Sequence, residues 1–260
     1  MGNKRYGFLP KSKAWRVIVK EMGEFALEKK SADEIAFKTL RQVRDRFTEL
    51  QNDPSIKSTF ELLLHISYAF KQNDPITYLS EKELLEKKEI SVVDISRAIW
   101  NNKPEEINSK EYETVAKQAA IDALNGWYKQ NIERGRSFFQ EGIDQKAIFY
   151  KTNDGSGFCE LARLYFSKFT ERYLKYYLER EASIALPDPS QRKKFTNELE
   201  AHIDEVSRHA FQTAKIAESF AAGWYNKNVK ETFPEESEVK GFLHTAFGKI
   251  KSDLLQEEMR

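Results

Sequence analysis

A single cysteine, Cys159, stands in a chain of 260 residues, which excludes an intramolecular disulfide and fits a reducing cytoplasm. No apolar run approaches the roughly 20 residues that carry a helix across a bilayer. The basic start is not followed by the uninterrupted apolar segment of a signal peptide, so no membrane partner is expected. Strand-like alternation is nearly absent. Net charge is scarce too: Lys+Arg 42 against Asp+Glu 41 leaves +1, so attraction to nucleic acid would have to come from local patches. The chain also lacks a P-loop, a dinucleotide fingerprint and the Arg-then-His helical spacing of helical RNases, Arg208 and His209 being adjacent. No cofactor is implied.

What is abundant is aromatic surface. With 18 Phe, 11 Tyr and 4 Trp, the chain has enough to bury despite 32% charged residues. Apolar residues recur every three or four positions, which predicts an all-α, multi-helix bundle. The length admits one large domain or two helical subdomains, and the expected division is 1–104, with a basic arm, and 105–260, with long central helices.

Helix boundaries are marked by their chemistry. Ser31-Ala32-Asp33-Glu34 reads as a capping box opening a helix to about Glu49. Asp53-Pro54 caps a second, through Phe70, which Asn73-Asp74-Pro75 ends. A further capping box, Ser80 to Glu83, predicts a short helix stopping near Lys88, and another runs from Val92 to Trp100. A helix from about Ser109 to Ile132 follows. Ala147-Ile148-Phe149-Tyr150 suits a short strand, and Asn153-Asp154-Gly155-Ser156-Gly157 a loop in which Ser156 caps the next helix. That helix, Phe158 to about Arg180, is apolar nearly all round and should be central. One long helix is expected from Ser190 to about Trp224, and an amphipathic helix after Phe233-Pro234.

One pattern occurs twice: Gly126-Trp127-Tyr128-Lys129-Gln130-Asn131-Ile132 and Gly223-Trp224-Tyr225-Asn226-Lys227-Asn228-Val229. It suggests a weak internal repeat. A turn shared by two helix ends accounts for it equally simply.

Four constellations carry candidate chemistry. Lys4, Arg5, Lys11, Lys13 and Arg16, interleaved with Tyr6, Phe8 and Trp15, form a basic arm that either docks on the body or contacts phosphates. Leu84 to Asn101 resembles a helix-turn-helix of the repressor type, with Ser91 and Arg97 among the residues that would face a groove. Glu89 replaces the usual turn glycine, and the segment balances its basic side chains with acidic ones. Lys168, Arg172 and Lys175 share a face near Tyr165, Tyr173 and Tyr176, a surface able to stack bases and neutralise phosphates, or simply to pack. Glu198, His202, Glu205 and His209 lie on one helical face. They are weak metal candidates, because bundle metal sites draw ligands from several helices. Cys159 reads as a structural thiol, and His65 and His244 as core or boundary residues whose ring nitrogens find partners.

The expected function is therefore a non-catalytic binding or assembly subunit with a protein partner. Nucleic-acid binding is the alternative and a metal-dependent or hydrolytic helical-bundle enzyme the third reading. A homo-oligomer stays compatible with all three. The opening Tyr6-Gly7-Phe8-Leu9-Pro10 with Trp15 is similar to small helical proteins of prokaryotic multi-gene defence systems. That similarity implies a context and no activity.

Overall fold

The longest described helix, α9 (Gly155–Ala185), carries buried residues along nearly its whole length, from Gly155 to Ala182. Around it, in the computed structural model, pack α1 (Lys13–Phe25), α2 (Ala32–Val43), α4 (Pro54–Ala69), α7 (Lys110–Gly135), α10 (Pro189–Gln212) and α11 (Lys215–Asn228). The remaining helices are α3 (Phe47–Leu50), α5 (Pro75–Glu81), α6 (Val92–Asn101), α8 (Gln145–Tyr150) and α12 (Glu236–Glu257). The structure describes residues 12–43, 47–85, 89–135, 144–212 and 215–257, and contains no strand among them. The protein is an all-α multi-helix bundle.

Phe60 of α4 sits at the meeting point of the aromatic core. It stacks on Phe242 of α12 at 5.1 Å and touches Phe158, Tyr165 and Phe166 of α9. Trp15 of α1 packs edge-on against Tyr177, and its indole donates to the buried Glu181 carboxylate at 2.8 Å. The buried apolar side chains form one contiguous cluster that draws on both sides of residue 104.

Local chemistry explains where the helices begin. Asp53 accepts from the amides of Ser55 and Ile56, with Pro54 in the first turn. Asp74 and Pro75 repeat that arrangement and start α5, so Asn73-Asp74-Pro75 begins a helix as well as ending one. This displaces the helix start expected at Ser80; residues 86–88, the end of the expected helix, lie outside the described residues. Ser80 to Glu83 lies instead at the end of α5, where Glu83 takes a left-handed backbone (φ 57°) and the Leu84 amide reaches back to Leu79. The strand expected at 147–150 is also corrected. Capped by Asp144, this run forms α8, because a lone apolar run can satisfy its backbone only locally.

Asp154, and not Ser156, caps α9, accepting from the Gly157 amide at 2.8 Å. Gly157 is required there: a β-carbon would lie 1.6 Å from the Lys151 carbonyl oxygen. Residues 213–214, between α10 and α11, lie outside the described residues and fall within the one long helix expected from Ser190 to about Trp224. The repeated glycines, Gly126 and Gly223, are not turn residues. Both lie inside helices with open space where a β-carbon would stand.

Candidate partner-binding face

Helix α6 is amphipathic, and the structure fixes which side is used. Ser91 caps it, accepting from the amides of Val93 and Asp94 at 3.2 and 3.4 Å. Ile95 and Ile99 are buried on a helix that packs against α7. Both ends are anchored. The Val92 amide donates to the Gln145 side chain of α8 at 3.2 Å. At the other end, Asn102 donates from its side chain to Ser58, while its carbonyl accepts from the buried Lys117 ammonium of α7. Lys117 also pairs with Glu113 at 2.7 Å. Burial works against ionisation of Glu113, but Lys117 and then Lys110 outweigh it and hold the carboxyl below its ordinary value.

The opposite side of α6 is exposed at Val93, Arg97 and Trp100. Val93, Arg97 and Trp100 follow one another at spacings of four and three, so they share a stripe. Val93 is 61% and Trp100 48% exposed. Arg97 between them pairs with Asp94 at 2.8 Å. Arg97 is also one of the groove-facing candidates of the segment that resembles a helix-turn-helix. Trp100 was read only as a helix boundary, although its distance of seven from Val93 is the signal that places it on the same stripe.

The nucleic-acid candidates fare unevenly. Ser91 is spent as a cap and Arg97 as an ion-pair partner, while residues 86–88 of the segment that resembles a helix-turn-helix lie outside the described residues. Lys168 and Lys175 both pair with Glu171, at 2.7 and 3.2 Å, and Arg172 binds Asp122 and Gln118 of α7. Burial disfavours the charged Glu171, yet Lys168 and then Lys175 hold its carboxyl below the usual value. Lys13 and Arg16 are exposed on α1, whereas Lys4, Arg5 and Lys11 lie outside the described residues.

Between α7 and α9 runs a groove of about 610 Å³. Its rim mixes Lys110, Arg172 and Lys175 with Glu111 and Glu179, beside Val115 and Tyr176. This alternation of sign selects no one ligand charge. Glu198 is exposed on α10, and the side chains of His202, Glu205 and His209 lie outside the described set. Among the described residues no three His, Cys, Asp or Glu side chains could hold a metal ion together, and no helix is long and apolar enough to cross a membrane. Cys159 is buried.

No family model matches the chain, and neither a curated protein nor a solved structure matches it.

Proposed function

We propose that this chain is a non-catalytic binding or assembly subunit that presents the Val93, Arg97 and Trp100 stripe of α6 to a protein partner. The observation that supports this reading is the exposure of two large apolar side chains flanking an arginine on a helix anchored at both ends. Trp and Arg are the residues that most often dominate binding energy at interfaces, and a rigid scaffold lowers the ordering cost of binding. Nucleic acid is the weaker reading, because Arg97, Lys168, Arg172 and Lys175 already face carboxylates. Cations neutralised in this way release fewer counterions on meeting phosphates.

The test is a quantitative comparison of partner capture by the wild type, Trp100→Ala and Ile184→Ala, each checked for unchanged helicity. Ile184 is an exposed apolar residue on another helix. The expected result is a partner whose Kd rises about 30-fold, or about 2 kcal/mol, with Trp100→Ala and is unchanged with Ile184→Ala. Equal capture by all three would overturn the reading. Submicromolar binding of labelled DNA or RNA at physiological salt would replace it with the nucleic-acid alternative.

A further inference from the structure

The end of α4 and the turn after it present His65, Tyr68 and Lys71 at spacings of three. All three hold the connection between α11 and α12, residues 229–235. The Phe233 ring stacks on the His65 imidazole with centroids 3.8 Å apart and planes 13° apart. The Tyr68 hydroxyl donates to the Glu231 carbonyl at 2.6 Å, and the Lys71 ammonium to the Val229 carbonyl at 2.6 Å. Lys71 also lies over the Tyr225 ring, 4.7 Å from its centre. From α5, Tyr78 completes the arrangement: its hydroxyl lies 2.7 Å from His65 Nδ1 and its ring meets Tyr68 edge-on.

The proton positions follow from the surroundings. Burial, with Tyr68 and Glu81 adding to it, pushes the Tyr78 phenol above its ordinary value, so Tyr78 keeps its proton and shares a hydrogen bond with Nδ1. Burial disfavours the charged ring, so the docked imidazole is neutral. An imidazolium would turn Nδ1 into a donor, lose water on its stacked face and stand within the field of Lys82. The other neighbouring charges are already placed: Glu61, one turn earlier on α4, pairs with Lys57, and Glu231 and Glu235 of the connection are exposed.

We propose that this arrangement is an acid-released latch in which protonation of His65 frees the 229–235 connection from α4. Burial first, and then Lys82, lower the docked His65 from 6.5 to about 3. A depressed histidine favours the docked form fully above about pH 6.5, and that advantage is lost as pH falls toward about 3. Each unit in this window raises the ratio of released to docked forms about tenfold. At the far end of the connection Glu236 pairs with Lys57 and Lys240, whose hydrogen bonds hold its carboxyl at about 2. Its contribution starts to fall only below the ordinary carboxylate range, near pH 4.5. Between pH 6.5 and 5, His65 therefore acts before Glu236.

A trifluoromethyl tag on Thr232→Cys, an exposed position, reports docked and released populations by fluorine NMR, while Cys159 is buried. Between pH 7.5 and 5.0 the released-to-docked ratio should rise about 30-fold. In His65→Phe, which keeps a ring to stack, and in His65→Gln, which keeps an acceptor for Tyr78, it should stay flat. Proton NMR of the wild type should show the docked His65 neutral at pH 5. A docked His65 that titrates near 6.5, or variants that keep the wild-type profile, would overturn the latch.

Discussion

The two Gly-Trp-Tyr units share a sequence and differ in what they bury. In α7, Trp127 is wholly buried and Tyr128 half-buried; in α11, Tyr225 is wholly buried and Trp224 half-buried. Successive helical residues diverge by about 100°, so on a helix packed mainly along one side one member of the pair lies nearer the core, and the rotation of each helix against its neighbours decides which. Each unit also meets one phenylalanine beside the α8–α9 junction. Phe149 packs on Trp127 and Tyr128, and Phe158 on Trp224 and Tyr225. One feature is identical in both: the side-chain amide of Asn131 donates to the Trp127 carbonyl at 3.0 Å, and that of Asn228 to the Trp224 carbonyl at 2.9 Å. The repeated pattern thus encodes local helix chemistry, while tertiary packing assigns the burial.

Alanine substitution breaks this comparison most directly. Trp127→Ala should cost about 3–5 kcal/mol and Trp224→Ala less than half of that, measured by urea unfolding. The tyrosines should reverse the order, with Tyr225→Ala costing more than Tyr128→Ala. Equal costs for the two tryptophans would mean that the units are packed alike after all.

The same division between local and tertiary information explains what could be read beforehand. Asp53-Pro54 was legible, because capping is written within a few residues, whereas Ser91, expected to face a groove, is the cap of α6. At 74–83 two local signals competed, and the pair with a fixed proline φ prevailed over the Ser80 box. The four apolar residues at 147–150 carry no period, so the strand reading had nothing to contradict it. On α9 the cationic face was visible, but the Asp122 that neutralises Arg172 lies 50 positions away on another helix. Trp100 teaches the complement: periodicity identifies the face a helix buries and leaves open whether the other face is covered. The candidate face on α6 was legible in part, and its exposure was not.

A smaller effect concerns the polar atoms that the two units bury. Trp127 Nε1 and the Tyr225 hydroxyl have no hydrogen-bond partner among the described residues, and an unpaired buried polar group costs about 1–3 kcal/mol. Burial, reinforced by Asp154 and Tyr68, pushes the Tyr225 phenol above its ordinary value, so it stays neutral. Tyr225→Phe removes the hydroxyl and keeps the ring that stacks on Phe158 at 4.6 Å. Stability should rise by roughly 1 kcal/mol, whereas Tyr128→Phe, at a half-exposed position, should change it by less than about 0.5 kcal/mol. A loss of stability in Tyr225→Phe would mean that its hydroxyl is bonded, and the two units would then differ in polarity as well as in burial.

The smallest effect tests what the units have in common. Gly126 and Gly223 are helical, and a β-carbon at either meets nothing within 4 Å. Glycine in a helix interior is worse than alanine by about 0.5–1 kcal/mol, because it loses more backbone freedom on folding. Gly126→Ala and Gly223→Ala should therefore each stabilise the protein by that amount, and the double variant by about the sum, since the units lie on different helices. Calorimetry reads this as a stepwise rise in Tm. Gly157→Ala supplies the contrast, because its β-carbon would fall 1.6 Å from the Lys151 carbonyl oxygen and Tm should drop. If Gly126→Ala or Gly223→Ala also lowered Tm, the glycine would be answering a constraint outside its own helix. The shared pattern would then carry tertiary meaning that the described packing does not assign to it.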